Sequence, residues 1–567
     1  MRTNGKMVLG RDLPADLKQL TRRDFLKIGG TGLAGAALLG TTGCGSIFGD
    51  QGGGGGGSGS KVLTVNLATE IDDLNTATTT DAVSFEVIVN TMEALYRLDE
   101  NDKPIPAMAE GVEISEDGLD YTFTLRDGVT WSNGDPVTSR DFKYAWLKAL
   151  NPDTASEYSY IISQFIEGAT EYNAGEGGPE DVAIGTPDDK RLEVTLVAPS
   201  SFFLQLTTFP TYYPQQQKFV EQQGKDYAQG AANLLYNGPY VMTQGEISAG
   251  GTVVLKKNDR YWDKANVAIE RIDMQAIKEE DTALNLYETG ELDVTGITGT
   301  NVQKYKDRED FSRQVEPTTF FGLMNHDDPA LSNLNIRRAL MIGFDRDPLT
   351  EKILANGSEP AYALVPPSIT PGPGNQTFRE ANGDLVPPDA SEGRQYWEQG
   401  VEELGETPKL TMLFGDDSLS RDIATYIQDQ YKKQLGADLE VQVLPFEAGL
   451  DRVDKQDYQI SFVSGWGADY NDPMTFLDLF LSSTPIYKTG FKNEKYDQLI
   501  LGAKEETDQA KRMQMMLESE KIIFEEAVCV PEYYRTRARL IKPYLKGAVF
   551  NLFGGEPTFK WASIEGK

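Results

Sequence analysis

One histidine and two cysteines in 567 residues leave little of the usual equipment of catalysis. His326 stands in Asn325-His326-Asp327-Asp328, a turn-like setting, and Ser-His-Asp or Cys-His chemistry would have to run through that single imidazole. No G-x-S-x-G motif accompanies it, and neither a Walker A sequence nor a G-x-G-x-x-G loop follows a plausible strand. A His/Cys zinc centre is excluded by count. Cys529 lies in Ile522-Ile523-Phe524-Glu525-Glu526-Ala527-Val528-Cys529-Val530, where a thiol reads as a small core residue. These absences argue against an enzyme, and no cofactor and no metal are expected.

Positive charge is the second shortage. Lys and Arg number 54 against 87 Asp and Glu, a net charge of −33. Residues 1–43 hold seven basic and three acidic groups, so the remainder carries −37. Such a field repels nucleic acid and anionic membrane surfaces and favours solubility. No nucleic-acid partner is expected, and the chain is expected to be a monomer.

Long apolar runs are the third. Beyond the first 43 residues no run approaches twenty, so the rest is expected to be soluble. Within them, Thr21-Arg22-Arg23-Asp24-Phe25-Leu26-Lys27 matches the twin-arginine export signature S/T-R-R-x-F-L-K. The uncharged run Ile28 to Gly43 is too short and too rich in glycine to span a bilayer. Cys44 follows, then Gln51, six glycines and Ser58-Gly59-Ser60. This reads as a twin-arginine lipoprotein signal over 1–43, a diacylglyceryl group on Cys44, and a flexible tether over 44–60. A lipobox usually has Leu three residues before the cysteine, and Thr41 stands there, so a soluble exported protein cleaved elsewhere remains the alternative. The expected location is the outer face of the cytoplasmic membrane, at the cell surface or in the periplasmic space.

About 500 residues remain, enough for two or three domains. Residues 61–68 alternate as a strand, and 85–95 carry a helical apolar face. Tyr121 to Leu125 and Asp127 to Trp131 read as short strands before the turn Asn133-Gly134. Thr138-Ser139-Arg140-Asp141 reads as a capping box opening a helix with Phe142, Ala145, Trp146 and Ala149 inward. Strands are expected over 192–197 and 252–256, and a helix over 282–289. Strand 410–414, helix 419–435, and strands 439–444 and 458–463 form an α/β unit with a partly parallel sheet. A last amphipathic helix is expected over 508–526.

Trp131-Ser132-Asn133-Gly134-Asp135-Pro136-Val137-Thr138-Ser139-Arg140-Asp141-Phe142 resembles the W-x-D/N-G-x-P-x-T-A-x-D-F block of bacterial oligopeptide-binding proteins, the extracellular solute-binding proteins of family 5. The resemblance continues through Asn151 to Tyr158, Tyr236-Asn237-Gly238-Pro239-Tyr240, Tyr261-Trp262-Asp263, Thr289 to Asp293 and Asn335 to Leu340. It ends in Gly465 to Pro473 and Val530-Pro531-Glu532-Tyr533-Tyr534. It implies an α/β, two-lobe periplasmic-binding-protein-like fold with a hinge. Residues 61–317 and 537–567 would form lobe 1, with an extra subdomain over 94–217, and 318–536 would form lobe 2. It implies a lipid-anchored receptor that binds oligopeptides between the lobes and delivers them to the permease subunits of an ABC importer. Members that bind another solute (a nickel chelate or an oligosaccharide), a peptide sensor, and a secreted hydrolase are the alternatives.

The residues support a site of that kind. Gly465-Trp466-Gly467-Ala468-Asp469 follows a strand, where open α/β sheets place ligands. Glycines beside Trp466 let a peptide add as a strand, and Asp469 is a natural partner for a protonated α-amino group. The competing reading makes Trp466 core and Asp469 a turn cap. The resemblance adds Tyr158 near the ligand's amino terminus, the backbone stretches Thr80-Asp81-Ala82 and Gly296-Ile297-Thr298, and Phe321 where relatives often have a tyrosine. Val463 replaces an arginine found in some relatives, and Arg535 replaces an aromatic. Arg535 either meets the ligand's carboxylate or faces solvent. Replacing Arg22-Arg23 with Lys-Lys should block export, and Cys44→Ser should move the exported protein from membrane to soluble fraction with ligand affinity unchanged; cell fractionation checks both.

Overall fold

Val62-Leu63-Thr64-Val65-Asn66-Leu67 forms the first strand, β1 (Val62–Leu67), with Leu63, Val65 and Leu67 buried by strict alternation. The computed structural model describes residues 62–245, 251–374, 376–463, 465–483 and 486–566. The expected signal peptide, Cys44 and Gly/Ser tether lie outside these residues.

The large sheet adds Tyr240–Gln244 (β2), Thr252–Lys257 (β3), Arg271–Ala276 (β4), Val294–Ile297 (β5) and Phe311–Met324 (β6). Further along come Thr411–Gly415 (β7), Glu440–Leu444 (β8), Ile460–Ser461 (β9), Gly465–Gly467 (β10) and Cys529–Ile541 (β11). Their order is β8-β7-β9-β6-β11-β5-β1-β4-β3-β2, with β10 paired to β6 and Glu359–Pro360 paired to β11. β7 runs parallel to β8 and β9, as the strand–helix–strand alternation predicts. β1 is parallel to β4 and β5, while β6 and β11 pair antiparallel. The fold is therefore mixed α/β.

A separate four-stranded antiparallel sheet joins Ala109–Ile114, Asp120–Leu125, Arg191–Thr195 and Ile184–Gly185. The helix α1 (Ala82–Thr91) starts earlier than its apolar face suggests, because Asp81 caps it by accepting from Ser84 N–H at 2.8 Å. The helix α2 (Ser139–Leu150) opens on the expected capping box, with Thr138 N–H donating to Asp141 Oδ2 at 2.8 Å. Phe142, Ala145, Trp146 and Ala149 are all buried, as their spacing requires.

Two expectations shrink. Asp127 to Trp131 is not a strand; only Thr130 bridges to Pro136, across the Asn133-Gly134 turn. Of 458–463 only Ile460–Ser461 pairs. Several strands went unread, and the longest of them are the 14-residue β6 and the 13-residue β11. Each contains a proline, which cannot donate to a ladder and disguises a central strand. Both prolines sit at register shifts: Pro317 between Val315 and Thr319, and Pro531 opposite the step from Phe320 to Phe321.

Cys529 is fully buried, as read from its apolar neighbours. His326 is a turn residue whose N–H donates to Thr489 O at 2.7 Å; burial, then the charge of Arg337, hold its ring down at a pKa of about 3.

The helix α3 (Gln509–Glu525) carries a charge inward at Glu520, which is wholly buried. Its carboxylate accepts from Arg379 at 2.8 and 2.7 Å, from Asn382 at 2.7 Å, and from the N–H groups of Leu364 and Val365 at 3.2 and 2.9 Å. Removing one member of a buried pair strands the other charge in low dielectric. Glu520→Ala should therefore cost about 3–5 kcal/mol of stability, read by denaturant unfolding, and Arg379→Ala a similar amount.

Candidate functional site

β10 holds the Gly-Trp-Gly motif against β6, with Gly467, Trp466 and Gly465 opposite Thr318, Thr319 and Phe320. A Cβ on Gly465 would lie 2.5 Å from Thr319 O, so the close approach of the two backbones requires glycine there. Ala468 N–H donates to Pro317 O at 2.7 Å. Antiparallel alternation then turns the N–H and C=O of Trp466 toward β6 and those of Gly465 and Gly467 toward the opposite edge. On that edge Gly465 O accepts from the Tyr487 hydroxyl at 2.9 Å, and Gly467 is exposed. Trp466 is half-buried: its Nε1 donates to Thr475 Oγ1 at 3.2 Å, and its ring meets Tyr487 edge-on at 6.2 Å. It is a fixed wall with one face partly open, rather than a core residue.

Two residues on, Asp469 is half-buried in the electrostatic neighbourhood of Tyr158 and Tyr160. Burial pushes its carboxyl up to about 6, the charge of Asp478 adds to the rise, and the Tyr160 hydroxyl opposes it. Tyr158 packs between Phe209 at 4.8 Å, Tyr160 at 5.9 Å and Phe85 at 6.2 Å. Burial and then the Asp469 charge push its hydroxyl up to about 12. The fold thus brings Tyr158 and Asp469, some 310 positions apart in sequence, into one electrostatic neighbourhood.

The other expected residues divide. Thr80 and Ala82 are exposed at the start of α1, and Asp81 is spent on its cap. Ala82 lines a cavity of about 70 Å³ with Glu316, Arg537, Arg539 and Glu556. Gly296 pairs with Arg539 on one side and is exposed, with open space around its Cα. Ile297, by contrast, buries its side chain among Leu284, Tyr287 and Leu540, and Thr298 is tied to Glu280 at 3.1 Å through its N–H. Phe321 is corrected: it is 1 % exposed and packs against Phe480 and Tyr487 in the core. Strand alternation puts its neighbour Phe320 on the other face, half-buried, stacked on Tyr533 at 4.7 Å and lying under Arg535. Val463 is buried in place of a charge.

Arg535 is exposed but does not stand alone. It pairs with Glu316, which also pairs with Arg537; Glu556 pairs with Arg537 and Arg539. This ladder escaped the sequence reading, although Arg-x-Arg-x-Arg over 535–539 is the period-2 signal of one strand face. Tyr160 escaped it too, and no spacing in the chain points to it.

A model of bacterial extracellular solute-binding proteins, family 5 Middle, matches residues 103–488. The chain is 35 % identical to the oligopeptide-binding protein OppA of Bacillus subtilis, over 88 % of this chain and 92 % of that relative. It is 33 % identical to the dipeptide-binding protein DppE of the same organism, over 89 % and 92 %. Among solved structures, the substrate-binding domain of an oligopeptide ABC transporter from Bacillus anthracis superposes with a TM-score of 0.73 at 37 % identity, covering 90 % of this chain and 99 % of that one. Listeria monocytogenes OppA bound to peptide gives 0.73 at 35 %, covering 89 % and 99 %.

The glycines flanking Trp466 should behave differently under substitution. Gly465→Ala forces β10 off β6 and should cost about 1–3 kcal/mol of stability. In Gly467→Ala the new methyl meets only Thr318 Oγ1 at 3.3 Å, so stability should change by less than about 0.5 kcal/mol. Thermal unfolding of the two variants side by side checks the difference.

Proposed function

The chain belongs to the bacterial extracellular solute-binding proteins of family 5, and from that premise we propose that it is an extracytoplasmic receptor that takes up oligopeptides and presents them to an ABC import permease. The observation that carries this reading is the pairing of an outward-turned backbone edge at Gly467 with a half-buried carboxylate two residues away. The edge offers main-chain hydrogen bonds to any extended peptide, whatever its side chains. Asp469 offers one charge, and the charge it fits is an α-ammonium. Relatives named for oligopeptide and dipeptide binding supply the same solute class.

The lobes we assign to residues 61–317 with 537–567, and to 318–536, would move about β6 and β11, where the ladder breaks between Val315 and Thr319. Gly296 and the Thr80-Ala82 stretch would contribute backbone contacts from the first lobe, and Tyr158 a wall at the amino end. The anchor is proposed to be a diacylglyceryl group on Cys44.

Calorimetry with one peptide, free and N-acetylated, against wild type and Asp469→Ala tests the assignment. With a pKa near 8, the free amine is charged at neutral pH. Losing a charge-assisted bond should cost the free peptide about 1.5–3 kcal/mol in the variant, and the acetylated peptide almost nothing. The pH dependence has a definite sign. Asp469 has a free-state pKa of about 6, and an ammonium partner lowers it. Affinity should therefore be level between about pH 6 and the amine's pKa near 8, and fall as pH drops below about 6, with a proton released on binding in that lower range. Equal weakening of wild type and variant by acetylation would show that the amine is held elsewhere.

A further inference from the structure

Outside β6 and β11, the two assigned lobes also touch through residues 165–205 of the first and 470–512 of the second. Tyr470 lies flat on Phe202, with ring centroids 4.1 Å apart and planes 2° from parallel. Phe165 meets the same tyrosine edge-on at 6.4 Å, and the Arg512 guanidinium lies 5.8 Å from the Phe202 ring. Asn471 N–H donates to Gln205 Oε1 at 3.1 Å. Tyr470, Asn471 and Gln205 are each more than nine-tenths buried, so the hydrogen bond is shielded from water.

Each half of this contact is held by its own lobe. Asn471 Oδ1 accepts from Thr370 N–H at 3.0 Å, and its Nδ2 donates to Thr370 Oγ1 at 2.7 Å. Asp472 takes both arms of Arg512 at 2.7 and 2.9 Å. In the first lobe, Val197 N–H donates to Phe165 O at 2.9 Å, and the Tyr121 hydroxyl donates to Ser200 O at 3.2 Å. Phe203 packs on Tyr121 at 4.9 Å. Two surfaces already fixed in this way meet with little side-chain freedom left to lose. The bridge between them is thin. Phe202 borders a cavity of about 550 Å³ shared with Thr370 and Asn471, and another of about 460 Å³ shared with Phe165 and Tyr470. Gln205 Nε2 is buried without a partner, which offsets part of what the contact gains. A contact of this size can be broken and remade.

We propose that Phe202, Gln205, Tyr470 and Asn471 form a clasp that holds the two lobes shut over a bound peptide, setting how long a peptide stays and not which peptide is taken. The inference rests on the lobe assignment and on the reading of the chain as a peptide receptor. The pivot lies in β6 and β11, and the clasp supplies a second point of closure in residues outside both strands. Asp469 immediately precedes Tyr470, so the clasp shuts beside the carboxylate assigned to the amine. A contact made only when the lobes are together stabilises the closed state itself. It therefore multiplies the affinity for every ligand held by that state by one common factor. Since it forms after the peptide has entered, its loss acts on release and leaves capture nearly untouched.

The test is stopped-flow capture and release of one oligopeptide, free and N-acetylated, by wild type, Phe202→Leu, Phe202→Tyr and Gln205→Ala, alongside the unfolding temperature of each protein. Phe202→Leu loses the stack and Gln205→Ala the hydrogen bond. Each should speed release roughly two- to tenfold, by the same factor for both peptides, with capture within about twofold of wild type. Phe202→Tyr keeps the ring and should release at the wild-type rate. Release unchanged in both Phe202→Leu and Gln205→Ala, whatever their unfolding temperatures, overturns the proposal and makes the contact merely structural. Release accelerated for the free peptide alone also overturns it, because these residues would then act through Asp469 and not through closure. A wild type that captures neither peptide overturns the reading of the chain as a peptide receptor, and the clasp with it.

Discussion

Phe311–Met324 and Cys529–Ile541 pair with each other along most of their length, and through them alone the two flanks of the large sheet are hydrogen-bonded together among the described strands. The ladder between them is interrupted where Glu316, Pro317 and Thr318 have no paired partner on β11. Proline has no N–H to give, but its carbonyl remains, and freed from the β6–β11 ladder it accepts from Ala468. The short Gly-Trp-Gly strand is thus seated at the break. Glu316, in the same break, turns to Arg535 and Arg537, and Glu556 continues the chain of charge to Arg539. Side-chain ion pairs link the two strands where the ladder is interrupted, with the Arg535 and Arg537 side chains still 45 and 40 % exposed, so they act as partly screened pairs.

Charge is arranged by depth. A chain with 33 excess negative charges would be expected to keep its carboxylates wet, yet several are buried. Some of those have a cation, as Glu520 has Arg379 and Asp472 has Arg512; others are held by neutral donors, as Asp141 is by Thr138 and Trp131, or are raised by burial, as Glu532 is to about 8. Asp469 resembles Glu532 in the direction of its shift. It is raised to about 6 by burial.

Local signals were legible where one element decides them. The capping box at Thr138, the alternation of β1 and the parallel unit from β7 to β9 follow from neighbours in sequence, and the structure has them. The two strands that join the sheet were not legible, because prolines and broken alternation hide a strand whose pairing is held by residues some 200 positions away. The misplacement of Phe321 has a similar cause. In a strand, parity decides which face a side chain takes, and a bulge changes parity, so position in a motif could not distinguish Phe320 from Phe321.

The division of labour at the proposed site follows from what each group can discriminate. Backbone N–H and C=O groups are alike in every peptide, so an edge such as that of Gly467 contributes affinity without regard to sequence. Glycine suits that edge because any side chain there would begin to select among ligands by shape. Trp466, half-buried and fixed by Thr475 and Tyr487, offers a flat apolar face, which tolerates many side chains. A receptor made only of these parts would accept any extended chain at any register. One charged group in a fixed place removes the ambiguity, because an α-ammonium occurs once per peptide, at its end. Its value depends on being held still: a carboxylate free to swing would set the register loosely, and a hydrated one would attract lysine side chains as readily as the terminus. The two residues that follow Asp469 are held from outside its strand, Tyr470 by the ring of Phe202 and Asn471 by Gln205, which limits how far the carboxylate can swing.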